Sequence, residues 1–155
     1  MFGFIKKDFE LYAPTDGVCK DITECSDATF SQKLLGDGIM IDPSEGVVKA
    51  PCNCRICSIF PTKHALMMKS SQGMELMIHV GIDTVKLDGQ HFEICVKPEE
   101  KVKRGKPLLR FDREEINKKG FETSVILVVL QSEKECCKLH LNENVTTNDL
   151  ILQMG

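Results

Sequence analysis

Apolar residues fall in short runs along this chain, divided by turns rich in Gly, Pro, Asn and Asp, a pattern that predicts strands rather than long helices. It is clearest from Phe60 to Leu87, FPTKHALMMKSSQGMELMIHVGIDTVKL, where two apolar runs, each with one histidine, flank Ser70-Ser71-Gln72-Gly73. Apolar runs around a Gly-containing polar loop predict a β-hairpin. A loop symmetric about the bond between Ser71 and Gln72 places His64 directly opposite His79. Opposed residues on one face have Cβ atoms roughly 4.5–5.5 Å apart, close enough for two imidazoles to share a small ligand. Strand alternation puts Leu76, Ile78 and Val80 on the better core face, and Glu75, Met77, His79 and Gly81 on the other. The pair is then either a site or two polar residues on a wet sheet surface.

Elsewhere, Met1 to Leu11 reads as a short N-terminal tail with Phe2, Phe4, Ile5 and Phe9 around Lys6 and Lys7. It fits a frayed terminus, an edge strand or a weak membrane-surface contact. Ala13-Pro14-Thr15-Asp16-Gly17 is a turn entering a strand. Ser26 to Gly36 predicts a short helix capped by Ser26 or Asp27, with Phe30 and Leu34 on one face. Gly36-Asp37-Gly38 and Pro43-Ser44-Glu45-Gly46 read as turns around the strand Ile39 to Ile41. Val47 to Ile59 is strand-like but punctuated by Pro51, and Phe92 to Val96 alternates as a strand. Asp112 and Glu115 have capping-box spacing for a helix Arg113 to Lys119 closed by Gly120, and Ser124 to Gln131 is a buried strand. With no helix long enough for a βαβ crossover, the expected fold is all-β: an antiparallel sandwich or barrel with a few short helices. Two echoes point to duplication: Ala13 to Gly17 returns as Ala50 to Cys54, and Val102 to Leu109 returns as Val145 to Leu152.

At 155 residues the chain is one domain with room for a core, and its net charge of −3 argues against nucleic acid as a partner. No apolar run approaches the ~18 residues of a membrane span, and the N-terminus lacks signal-peptide features, so a cytoplasmic protein is expected. Its eight cysteines should then be reduced thiols. Cys52, Cys54 and Cys57 are spaced to offer soft metal ligands, but the second pair that closes a structural zinc site is missing.

These motifs, AP-x-DG (Ala13 to Gly17), GDGI (Gly36 to Ile39), FPTKHA (Phe60 to Ala65) and IHVGIDTVKLDG (Ile78 to Gly89), stand in an order that resembles the glucose-type enzyme IIA family of the bacterial phosphoenolpyruvate-dependent sugar phosphotransferase system. GQHF, VKRGKPLL and Phe111-Asp112 extend the resemblance, which runs from about Tyr12 to Leu152. It implies one enzyme IIA domain over residues 12–155, with a duplicated barrel-sandwich fold. It also implies a phosphoryl acceptor at His79, a phosphate-stabilising partner at His64, and Thr62 bonded to His64. Asp27 and Asp83 would flank the site, with an apolar rim of Phe30, Leu34, Leu35, Phe60, Met77 and Val85. The departures are Cys52-Asn53-Cys54 in place of a Val-Asp-Gly-like turn, Asn148 in place of a glycine, and His91 where a small residue is common.

On that resemblance His79 takes a phosphoryl group from the phosphocarrier protein HPr and passes it to the IIB domain of a sugar permease, which is the only route to the membrane. Alternatives are a regulatory binding module controlled by phosphorylation, or a metalloprotein. No cofactor is required, though zinc could sit on His64 and His79 with further ligands supplied from outside. Beside a phosphate, Asp27 and Asp83 repel it and would instead face cationic side chains of a docking partner.

Overall fold

The computed structural model describes residues 9–155; the Phe2, Phe4 and Ile5 part of the expected tail lies outside them. The strands are β1 (Glu10–Tyr12), β2 (Gly17–Asp21), β3 (Gly36–Pro43), β4 (Val47–Lys49), β5 (Cys54–Ile59), β6 (Ala65–Ser70), β7 (Glu75–Val80), β8 (Phe92–Ile94), β9 (Lys101–Val102), β10 (Pro107–Phe111), β11 (Val125–Leu130), β12 (Cys136–Lys138), β13 (Asn144–Val145) and β14 (Leu150–Met154). Two short helices interrupt them, α1 (Ala28–Ser31) and α2 (Arg113–Lys118). An eight-stranded sheet runs β13-β2-β3-β11-β7-β6-β5-β9, beside three-stranded sheets β1-β14-β12 and β4-β10-β8. Every pairing among the described residues is antiparallel. The all-β expectation holds as antiparallel sheets with a few short helices, and no closed barrel forms among the described residues.

The strand β11 shows why the sheets stack as they do. Its sequence VILVVL is apolar on both faces, so both must be covered. Val125, Leu127 and Val129 enter the main core with Leu76, Ile78 and Val80. Ile126 and Val128 join a smaller cluster with Ile22, Cys25, Phe30, Met40 and Met77. The face of β7 that carries His79 is therefore floored by this second cluster and is not a wet surface.

The sequence echoes are two copies of one structural unit. Ala13 N–H bonds to Asp149 O at 3.0 Å, and Ala50 N–H bonds to Lys106 O at 2.9 Å. Asp16 Oδ1 accepts from Thr147 N–H, and Asn53 Oδ1 accepts from Arg104 N–H, both at 2.9 Å. Cys52-Asn53-Cys54 thus keeps the turn despite its altered sequence. At Asn148, the left-handed conformation of its counterpart Gly105 (φ 89°) is absent, but Asp149 N–H still closes the turn on Thr146 O.

Three expectations are corrected. Gly36-Asp37-Gly38 belongs to β3 rather than to a turn, because a side chain at Gly38 would strike the Leu127 carbonyl of β11. The first helix is a single turn capped by Asp27, ended by left-handed Lys33 (φ 56°), so Phe30 and Leu34 do not share a helical face. The strand from Phe92 stops at Ile94. The N-terminal segment enters the fold from β1, where Leu11 is fully buried. The second helix forms with Asp112 accepting from Glu115 N–H at 3.1 Å.

Candidate functional site

The β6–β7 hairpin exists, but its register differs by one residue from the symmetric expectation. Ala65, not His64, lies opposite His79. The loop holds three residues, Ser71, Gln72 and Gly73, and Gly73 (φ 94°) takes the left-handed position that three-residue hairpins require. Ser70 N–H bonds to Met74 O, so the loop centres on Gln72. A regular strand would now point His64 away from His79. Lys63 prevents this: its left-handed backbone (φ 61°) breaks the pleat just before β6, while Val80 N–H still bonds to His64 O at 2.8 Å. The two rings meet with centroids 4.8 Å apart and planes at 88°. Ala65 leaves the space beside His79 that a larger side chain would fill.

Each imidazole is capped by a phenylalanine. Phe30 lies 4.9 Å from His79, and Phe60 lies 5.7 Å from His64 in an edge arrangement. Thr62 Oγ1 is 2.8 Å from His64 Nδ1. His64 is buried; His79 is partly exposed, although its Nδ1 is buried without a hydrogen bond of standard geometry. Burial, and then the neighbouring His64, push the His79 pKa down to about 4, opposed by the Gly81 backbone and by Asp27 and Asp83. Burial also lowers His64, opposed by the Thr62 backbone. Both rings are therefore neutral at pH 7.

Gly81 ends β7 at φ 84°, and a Cβ there would collide with the Thr84 side chain and come within 2.8 Å of Glu122 O. Its N–H bonds to Ser124 O at 2.7 Å, which ties the segment after His79 to the strand beside it. Sequence reasoning missed this support from 122–124, and missed Ile22, Cys25 and Met40 beneath the site. The two-sided apolar run of β11 was the available signal for the latter.

The remaining expected site residues separate into two groups. Phe30 and Met77 are buried, and Leu35 and Phe60 are partly buried against the smaller cluster. Leu34 and Val85 are 63% and 52% exposed, large apolar side chains facing solvent. Asp27 is committed as the α1 cap through Thr29 N–H. Asp83 is exposed, left-handed (φ 59°), and makes no capping bond with its side chain. Among the described residues no three or more His, Cys, Asp or Glu side chains gather as a metal cluster, Cys52 and Cys54 included.

A family model described as "phosphoenolpyruvate-dependent sugar phosphotransferase system, EIIA 1" matches residues 9–135. The chain belongs to this EIIA family. A "PTS system glucose-specific EIIA component" of Staphylococcus epidermidis is 36% identical over 139 residues, covering 90% of this chain and 83% of that one. A protein of the same description from Staphylococcus aureus is 44% identical over 113 residues, covering 73% and 68%. The solved structure of glucose permease IIA from Mycoplasma capricolum matches with a TM-score of 0.87 at 32% identity, over 97% of this chain and 98% of that one. As an EIIA protein the chain is a phosphocarrier of a sugar phosphotransferase system and a transferase in the broad sense. No helix among the described residues is long and apolar enough to cross a membrane.

Proposed function

We propose that His79 is the phosphoryl acceptor, through Nε2, and that His64 stabilises the transferred group. The perpendicular contact of two neutral histidines, one bonded to Thr62, carries this reading. With Nδ1 of His79 buried toward the Gly81 backbone, Nε2 is the nitrogen left to meet a reactant. A ring that titrates at about 4 presents that lone pair throughout the neutral range. Thr62 Oγ1, 2.8 Å from His64 Nδ1, is placed for its hydroxyl to donate to that nitrogen, which would keep the His64 proton on Nε2 and make it a donor to a phosphoryl oxygen. Neighbouring histidines thus hold opposite tautomers, one nucleophile and one donor. On uptake a His79 Nε2–P bond forms as the donor's N–P bond breaks, on delivery that bond breaks as the acceptor's bond to phosphorus forms, and the protein supplies position and charge stabilisation in both.

The donor in this reading is phosphorylated HPr, and the acceptor is a sugar-permease IIB domain. Exposed Leu34 and Val85, beside the elements bearing Phe30 and His79, fit transient apolar docking. The exposed, uncommitted Asp83 fits a cationic partner residue. Glucose is the sugar named for the relatives and the first substrate to assay. A zinc ion on the pair would need its remaining ligands from water or from a docked partner.

The test is relay kinetics with phosphoenolpyruvate, enzyme I, HPr and a glucose-permease IIB domain. Wild type should take up one phosphoryl group and pass it on, and His79→Ala should take up none. His64→Ala should accept the group but transfer it slowly. Full uptake by His79→Ala would overturn the assignment.

A further inference from the structure

At the far end of the same hairpin lies a second, unrelated feature. Strand registers set Arg55 of β5 directly opposite Lys69 of β6 on one side and Lys101 of β9 on the other. Three cations therefore stand in a row across three strands, all on the exposed face. Like charges directly opposite one another destabilise a sheet. Glu99 answers Arg55 at 2.9 Å, and the β6–β7 register sets Glu75 opposite Lys69, so both carboxylates stand outside the groove while the three cations border it. The row borders a groove of about 640 Å³ completed by the Ser70 to Gly73 turn, and no carboxylate lines it. That volume is in the range of small-molecule sites. Gln72 of the turn lines the groove, as does Asn53, whose carbonyl accepts from Ser71 N–H of the same turn. The Gln72 side-chain amide is a donor suited to an oxygen-rich ligand.

We propose that this groove binds a small polyanion of the organic phosphate or pyrophosphate class. Arg55 offers the guanidinium N–H groups that Glu99 does not hold, and Lys69 and Lys101 supply point charges on either side. The ligand relieves the repulsion that the strand registers impose. Lys69 lies four residues along β6 from Ala65, the residue opposite His79, which separates the row from His79 by roughly 13 Å at 3.3 Å per residue. It stands independently of any role for the histidines.

The test is calorimetric titration of the full chain with inorganic pyrophosphate at about 0.15 M salt, with amide NMR shifts to locate the contact. Saturable one-to-one binding is expected, with shifts at Ser70 to Gly73 and Lys101. Lys69→Gln with Lys101→Gln should weaken it about tenfold, at matched ionic strength, and leave phosphoryl acceptance unchanged. The proposal is overturned if binding does not saturate, if the double variant binds equally well, or if the shifts map to His64 and His79. It is also overturned if the chain ignores pyrophosphate yet sediments with anionic lipid vesicles through these lysines.

Discussion

His79→Gln should remove a specific part of the pH dependence of folding. In the folded chain burial holds this ring at a pKa of about 4, whereas in the unfolded chain it titrates at the ordinary 6.5. Between those values the unfolded chain binds more protons, so the ring's contribution is full above about pH 6.5 and is lost as pH falls toward about 4. Linkage puts the loss at about 1.5 kcal/mol by about pH 5.5 and about 2.5 kcal/mol by about pH 4.5. Carboxylate pairs such as Lys138 with Asp21 and Asp37 also weaken in acid, but they are present in both proteins and cancel in the difference. Glutamine does not titrate in this range, so urea unfolding of wild type and variant should diverge by those amounts as pH falls. Parallel curves, within about 0.5 kcal/mol down to about pH 4.5, would refute the idea that burial keeps this imidazole neutral. The same reasoning expects phosphoryl acceptance to persist at about pH 5.5, where an ordinary surface histidine is largely protonated.

Other consequences are as specific. Thr62→Val removes the partner of His64 Nδ1 without changing shape, and should slow onward transfer more than uptake in rapid-quench assays. Leu34→Ser with Val85→Ser should raise the apparent KM for the protein partner several-fold while thermal stability stays within about 0.5 kcal/mol. Lys138→Ala removes the half-buried ammonium that bridges Asp21 and Asp37 at 3.0 and 2.6 Å, leaving them only Thr23, Gly38 and Lys33, and should cost about 2 kcal/mol in urea unfolding. Gly81→Ala should cost about 2 kcal/mol or more through its left-handed backbone and the collision with Thr84 and Glu122, and should slow phosphoryl uptake as the His79 segment shifts.

Much of the fold was legible because its signals are local. The caps at Asp27 and Asp112 and the apolar run of β11 each act over a few residues, and these are where the sequence places them. The duplication was legible as two faint echoes because each unit needs the same turn bonds at Asp16 and Asn53. What failed depended on distant or subtle backbone geometry. Gly36-Asp37-Gly38 looked like a turn, but its glycines answer the close approach of β11, far along the chain. The hairpin register turned on whether the loop holds three residues rather than two or four, a matter of one residue. That the histidines meet anyway results from two departures from regularity that offset: the one-residue shift and the left-handed Lys63. The expected apolar rim divided for a similar reason. Only the packed structure shows that Phe30 and Met77 are buried beneath the site while Leu34 and Val85 face outward.

The central claim is that one nitrogen of one histidine carries the phosphoryl group. Phosphorus-to-nitrogen coupling in NMR spectra of the phosphorylated, nitrogen-labelled protein reads this directly. The account expects a single phosphohistidine, at Nε2 of His79, with His64 unmodified and still bonded to Thr62. A phosphoryl group on His64, or on Nδ1 of His79, would contradict it.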